Sequence, residues 1–186
     1  NAFIYASEGQ PYGVIVGPGF KRDPDGNVIF KNGLPTYDSD IKVLGNGTYD
    51  FTLGVQQSFH YKGLSLSVLF DMKWGADLYS MSARQSHANG TSKETLRGRA
   101  EWYESEEQRK ANNVSEANWT ATGGFVGEGV MNIGTNDNPV YVPNTVAINP
   151  QTYWTNVTSN TAEPFIYDAS FIKLREMNIS YQFPIK

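Results

Sequence analysis

The sequence predicts an all-β chain: antiparallel strands of a transmembrane β-barrel, present as a partial barrel and joined by long extracellular loops. Three observations carry that expectation. Residues 48–74 alternate apolar and polar side chains with a period of two. Each arm of that stretch is longer than the five or six residues usual in a soluble sheet. The composition is rich in Gly, Asn, Ser, Thr and Tyr, which suit strands and polar loops better than helix bundles.

Residues 1–44 read as strand pieces cut by turns. Tyr12-Gly13-Val14-Ile15-Val16 leads to the turn Asp23-Pro24-Asp25-Gly26-Asn27 and on to Val28-Ile29-Phe30, a hairpin expected above the membrane. Next, Tyr49, Phe51, Leu53, Val55, Phe59 and Tyr61 alternate with Asp50, Thr52, Gln56, Ser58 and His60. After a tight turn at Lys62-Gly63, Leu64, Leu66, Val68, Phe70, Met72 and Trp74 resume the pattern against Ser65, Ser67, Asp71 and Lys73. Both arms reach the roughly 9 to 11 residues with which a tilted strand crosses a bilayer. Tyr49 and Trp74 stand at one end and Phe59 and Tyr61 at the other, as two aromatic girdles around an apolar band. A soluble β-sandwich hairpin with one face in its core shows the same alternation, so the hairpin alone leaves both readings open.

Residues 75–165 read as one long extracellular loop with brief strands. Thr91-Ser92-Lys93-Glu94 has the form of a capping box, which predicts a short surface helix over 95–110 with its charges in water. Gly123-Gly124, Asn136-Asp137-Asn138-Pro139 and Asn149-Pro150 read as turns. Alternation returns over 166–184, where Tyr167, Ala169, Phe171, Lys173, Arg175, Met177, Ile179, Tyr181 and Phe183 are expected on one face. Lys173 and Arg175 would be costly near a bilayer midplane, which places the upper half of this strand outside the membrane.

The stretch Tyr167-Asp168-Ala169-Ser170-Phe171-Ile172-Lys173-Leu174-Arg175-Glu176, continued by Met177-Asn178-Ile179-Ser180-Tyr181-Gln182-Phe183-Pro184, resembles the SusC/RagA-like TonB-linked outer-membrane proteins of Bacteroidetes. Supporting it in order are Gly9-Gln10-Pro11-Tyr12-Gly13, Phe20-Lys21-Arg22-Asp23, Asp25-Gly26-Asn27, Gly33-Leu34-Pro35, Leu44-Gly45-Asn46 and Tyr61-Lys62-Gly63-Leu64-Ser65-Leu66-Ser67. The resemblance covers most of the chain except the centre of residues 75–165. It implies a TonB-dependent receptor in the bacterial outer membrane, surrounded by lipid, energised by the TonB complex and capped by a SusD-like surface lipoprotein. Such a protein imports a large nutrient, a glycan or a peptide, and acts without a cofactor. Residues 1–186 are then expected to be part of its barrel domain, a fragment with neither plug nor TonB box and without the strands expected after Pro184.

The remaining signals exclude other classes. A net charge of −4 and the lack of a basic cluster speak against nucleic acid. With Cys 0 there is neither a disulfide framework nor thiolate chemistry. No apolar run is long enough for a transmembrane helix, and Asn1 begins in mid-pattern without a signal peptide. His60 and His87 lack the neighbours of a zinc site, and Asp23 to Asn27 lacks the distal Glu of a calcium loop. Gly17-Pro18-Gly19 is a turn, Ser58-Phe59-His60 lacks an orienting acid, and Glu101, Glu104, Glu106 and Glu107 read as a solvated helix face; no enzyme is expected. The sequons, such as Asn118-Trp119-Thr120, are expected by chance in an Asn- and Thr-rich stretch. Trp102, Tyr103, Trp119, Tyr153 and Trp154 are the candidate substrate or lid contacts, against the plainer reading that they pack a small core of their own. The alternative function is a secreted β-sandwich module that binds carbohydrate, separated from the first by the exposure of Leu53, Val55, Leu66 and Val68.

Overall fold

A computed structural model describes residues 2–6, 8–135 and 137–184; Asn136 of the expected turn lies outside the described residues. In chain order the elements are β1 (Phe3–Tyr5), β2 (Val14–Phe20), β3 (Ile29–Lys31), β4 (Leu34–Pro35), β5 (Tyr37–Asn46), β6 (Phe51–Tyr61), β7 (Leu64–Trp74), β8 (Asp77–Tyr79), α1 (Met81–Ala88), α2 (Arg99–Ala111), β9 (Val130–Asn132), β10 (Tyr141–Pro143), α3 (Pro150–Asn160), β11 (Ile166–Asp168) and β12 (Phe171–Tyr181). The strands form four separate sheets, ordered β1-β2-β5, β10-β9-β3-β4, β11-β8 and β12-β7-β6. Among the described residues none of these sheets closes into a barrel, and β3 and β9 run parallel. The expectation of an all-β transmembrane barrel is therefore overturned: the chain is a mixed α/β protein.

The helices that overturn it have local causes. Asn149-Pro150, expected as a turn, opens α3 instead. The Asn149 side-chain oxygen accepts from the Gln151 N–H at 2.8 Å, and Pro150 stands in the first turn, where its missing N–H leaves no bond unmade. Ser80 caps α1 by accepting from the Ala83 N–H at 3.2 Å. The expected capping box at 91–94 is not made. Ser92 caps nothing with its side chain, and the Glu94 carboxylate lies 2.9 Å from His87 Nε2. Lys93–Leu96 is a single 3-10 turn, and Gly98 at φ 81 precedes α2, which begins at Arg99 rather than 95.

The chain divides into two compact units. One is built mainly from residues 16–44 and 79–165. In it α1 packs on α3 around the buried Phe165, Val157 and Ala162. Its polar seams are filled: the Arg84 Nε donates to the Thr158 carbonyl at 2.7 Å, and Thr161 Oγ1 donates to the Pro18 carbonyl at 2.7 Å. Glu163 accepts from the Phe20 N–H at 2.7 Å and from Arg22 at 2.5 Å. The turn at 23–27 is present, held by Asn27 N–H donation to Asp23 at 2.7 Å, and it holds the Asp23 carboxyl below its ordinary range through Asn27. Only a short piece of the expected hairpin is formed around that turn: Arg22 and Val28 bridge and the Ile29 N–H donates to the Lys21 carbonyl at 2.9 Å, but β2 and β3 belong to different sheets.

The other unit is built mainly from residues 4–15, 45–78 and the chain from Ile166 onward. Its principal sheet, β12-β7-β6, is a hairpin with a third strand, each strand of 11 residues. Lys62 (φ 45) and Gly63 (φ 83) both take the positive φ of a two-residue hairpin turn. Phe51 pairs with Trp74, Val55 with Phe70, Phe59 with Leu66 and Tyr61 with Leu64, so the apolar sets of both arms share one face.

In β12 the strict alternation expected over 166–184 is broken by a bulge. Leu174 pairs with Phe70, but Glu176 pairs with Leu69 and Met177 with Val68, leaving Arg175 as the extra residue. The odd positions thus do not share one face. Ile172 and Leu174 before the bulge and Met177, Ile179 and Tyr181 after it all join the apolar face, while Lys173 pairs with Asp71 on the other. Arg175 reaches Asp71 at 3.1 Å, so the argument that two cations push half the strand out of a membrane does not hold.

Gly98 provides a direct check on the first unit. A Cβ there would lie 2.6 Å from the Gly124 carbonyl carbon and the Phe125 nitrogen, in a left-handed conformation. Gly98→Ala is expected to lower stability by about 1–3 kcal/mol, read as a lower urea midpoint at unchanged slope.

Candidate functional site

Aromatic residues of the first unit gather around two clefts beside α2. The spacing of α2 puts Trp102, Tyr103, Glu106 and Arg109 along successive turns. Trp102 lines both clefts. One, of about 400 Å³, takes Tyr103 and Trp154 together with Arg99 and Gln151; the other, of about 740 Å³, takes Trp119 with Glu106 and Arg109.

The second cleft is built on Ser105. This hydroxyl is fully buried and accepts from Trp119 Nε1 at 3.1 Å and from the Thr122 N–H at 3.0 Å, which ties the segment after α2 back onto the helix. Arg109 donates to both Glu106 oxygens, with a shortest distance of 2.8 Å, and to the Val114 carbonyl at 3.0 Å. The pair holds Glu106 below and Arg109 above their ordinary ranges, chiefly through that side-chain hydrogen bond. Glu106 is thus an ion-pair partner held as a carboxylate, the opposite of what a proton donor requires.

The first cleft has a rigid back wall. Arg99 Nε donates to the Thr95 carbonyl at 2.8 Å, and Nη2 donates to the Gly90 carbonyl at 2.8 Å and to Thr95 Oγ1 at 2.9 Å. His87 is buried with Nδ1 2.8 Å from the Ala83 carbonyl oxygen and Nε2 2.9 Å from the Glu94 carboxylate, its ring 4.6 Å from that of Trp154 and 5.4 Å from that of Phe165. Trp154 Nε1 is buried and finds no acceptor among the described residues.

No family model matches the chain, and no curated protein matches it. The site is therefore argued from its own residues. Of the five aromatic candidates, the structure gathers Trp102, Tyr103 and Trp154 at the first cleft and Trp102 and Trp119 at the second. Tyr153 lines neither. It packs on Phe125 at 4.2 Å, where burial, opposed by Arg97 and reinforced by Glu128, pushes its phenol up to about 12. His60 lies on the sheet of the other unit with Nδ1 2.8 Å from Ser65 Oγ, and Ser58 meets Ser67. Among the described residues no group of three His, Asp or Glu could hold a metal ion. Reading for aromatics alone passed over Arg99, Asn89, Ser105 and Gln151. The Asn149-Pro150 helix-start signal would have placed Gln151 in the first turn of a helix, though not beside a cleft.

Two measurements follow from this geometry. Tyr37, half-buried and donating to Asn156 at 2.5 Å, is also pushed up, first by desolvation and then by Tyr153. Both phenols have folded values above the ordinary 10.0, so their stabilising effect is complete below pH 10, and for Tyr153 it is lost as pH rises toward about 12. In an alkaline tyrosinate absorbance titration, Tyr37→Phe and Tyr153→Phe are each expected to remove one late-ionising phenol. Ser105→Ala strands the Trp119 and Thr122 donors and is expected to cost about 1–3 kcal/mol in denaturant unfolding, with increased solvent quenching of tryptophan fluorescence.

Proposed function

We propose that this chain works in the bacterial outer membrane as part of a TonB-dependent, SusC-like importer of a large nutrient, a glycan or a peptide, with a SusD-like surface lipoprotein as partner. The observation that carries the reading is the apolar face of the β12-β7-β6 sheet. Leu53, Val55 and Phe59 on β6, Leu64, Phe70 and Trp74 on β7, and Ile172, Leu174, Met177 and Ile179 on β12 are all exposed on it, Ile179 at 63%. Leu66 and Val68 between them are half-buried by their neighbours. A water-soluble chain rarely leaves so broad an apolar surface uncovered, and a sandwich would pack it in its core.

Dimensions and chemistry agree with a lipid cover. A strand of 11 residues at about 3.3 Å per residue and a tilt of about 40° rises close to the roughly 25 Å apolar band of outer-membrane strands. The opposite face carries Thr52, Gln56, Ser58 and His60 beside Ser65, Ser67, Asp71 and Lys73, a surface for water. Among the described residues β6 and β12 each pair in this sheet on one side only, and in hydrocarbon such edges require adjoining strands of the assembled importer. The resemblance of residues 167–184 supplies the family, and the TonB complex would supply the energy.

With Cys 0, the chain suits single-cysteine scanning. In membranes from cells making the protein, labels at Leu53, Leu66, Leu174 and Ile179 are expected to be quenched by lipid-borne spin labels. Cysteines at Ser58, Ser67 and Asn178 are expected to react with water-soluble thiol reagents. Absence of lipid quenching at every apolar position, with the chain recovered in the soluble fraction, would sink the proposal.

A further inference from the structure

We propose that the cleft lined by Arg99, Trp102 and Tyr103 binds an acidic saccharide, one that contains a uronic-acid residue. That this saccharide is the imported nutrient rests on the importer reading; the binding itself does not.

The first argument is charge. No Asp or Glu lines this cleft, whereas the Arg99 guanidinium does. Three hydrogen bonds to neutral oxygens of Gly90 and Thr95 fix its Nε and Nη2, and among the described residues it makes no ion pair. The other basic group at the cleft, His87, already faces the Glu94 carboxylate. A half-buried, immobilised guanidinium with no counter-charge, in a chain of net charge −4, is suited to an incoming carboxylate.

The second argument is the shape and chemistry around that cation. The volume of about 400 Å³ falls within the roughly 300–1,000 Å³ of small-molecule sites. Trp102 and the 70%-exposed Tyr103 line the cleft, and aromatic rings are the side chains that stack on the C–H face of a pyranose. The side-chain amides offer the mixed donors and acceptors that sugar hydroxyls need. Asn89 accepts from Gln85 at 3.1 Å and keeps its N–H groups, and the Gln151 amide has no partner among the described residues. A peptide is usually held along a strand edge or by an apolar groove, and this cleft is walled by helices and polar amides, which favours the saccharide.

The test is calorimetric titration of the whole chain in detergent with trigalacturonate, with the corresponding neutral trisaccharide, and with a tripeptide bearing a free carboxyl terminus. Trigalacturonate is expected to bind at least about tenfold more tightly than either other ligand, the scale of one charge-assisted hydrogen bond. Arg99→Gln is expected to abolish the preference for acid over neutral sugar. Tyr103→Ala, at an exposed side chain, is expected to weaken both sugars while circular dichroism stays unchanged. Equal affinity for acidic and neutral sugars, tighter binding of the tripeptide, or no heat from millimolar trigalacturonate would overturn the proposal. Should Arg99→Gln fail to fold, the ligand preference of the parent chain and the Tyr103→Ala result decide. Failure of lipid quenching at the sheet would leave this outcome untouched.

Discussion

A sheet can keep one apolar face only if all of its strands hold the same phase, because a slip of one residue turns every side chain over. The β12-β7-β6 sheet meets this constraint in two ways. Between β6 and β7 the phase is locked by the turn: Lys62 and Gly63 at positive φ leave one register, which sets Phe59 opposite Leu66. Between β7 and β12 no short turn acts, since residues 75–170 lie between them in sequence. There the phase is set by side-chain pairing and corrected by the bulge at Arg175, whose guanidinium is taken up by Asp71. The same pairing sets Lys173 opposite Asp71 in register, so both cations of the strand lie near one carboxylate on the polar face, and Arg175 makes the ion pair.

The other unit is held together by a different economy of contacts. Its apolar core is small, and several of its best-buried side chains are polar: Ser105, Thr95 and Thr161 are nearly inaccessible. Each is hydrogen-bonded, to Trp119, Ser92 and Pro18 respectively, so that burial carries little desolvation penalty. The bonds of Thr95 and Ser105 fix a wall residue of each cleft, Thr95 itself in the first and Trp119 in the second. Arg99 belongs to the same network, and its rigidity comes from backbone carbonyls that hold it without neutralising it.

What the sequence disclosed follows the range over which each signal acts. Period-two alternation is local, and the stretch 48–74 folds as the hairpin it spells, with its turn at Lys62-Gly63. The bulge was hidden because its signal lies in the partner strand: only pairing with Leu69 and Phe70 shows that Arg175 is the surplus residue. Helices α1 and α3 were missed for another reason. Helix α1 is only eight residues long and lacks an apolar stripe, α3 is poor in strong helix formers, and Asn149-Pro150 has two meanings, a turn or a capped helix start, between which local chemistry does not choose. The cap box at 91–94 failed because His87, seven residues before Glu94, offered the carboxylate a buried partner. The aromatic residues of the clefts were visible as residue types, whereas Arg99 became notable only once it could be seen to have no carboxylate partner among the described residues.

The bulge also changes what kinds of mutation the last strand can absorb. Exchanging one side chain in β12 alters one spot on one face, a local matter of size or polarity. Adding a residue within Ile172 to Leu174, with the bulge kept, instead shifts the reading frame of the pleat, so that Lys173 and Ile172 trade places between the apolar and the polar face, whereas loss of the surplus Arg175 leaves Leu174 opposite Phe70 and Glu176 opposite Leu69 in an unbroken alternation. Insertion is therefore the more tightly constrained change in this segment, while loss of the surplus residue is the one change of length that keeps both faces intact.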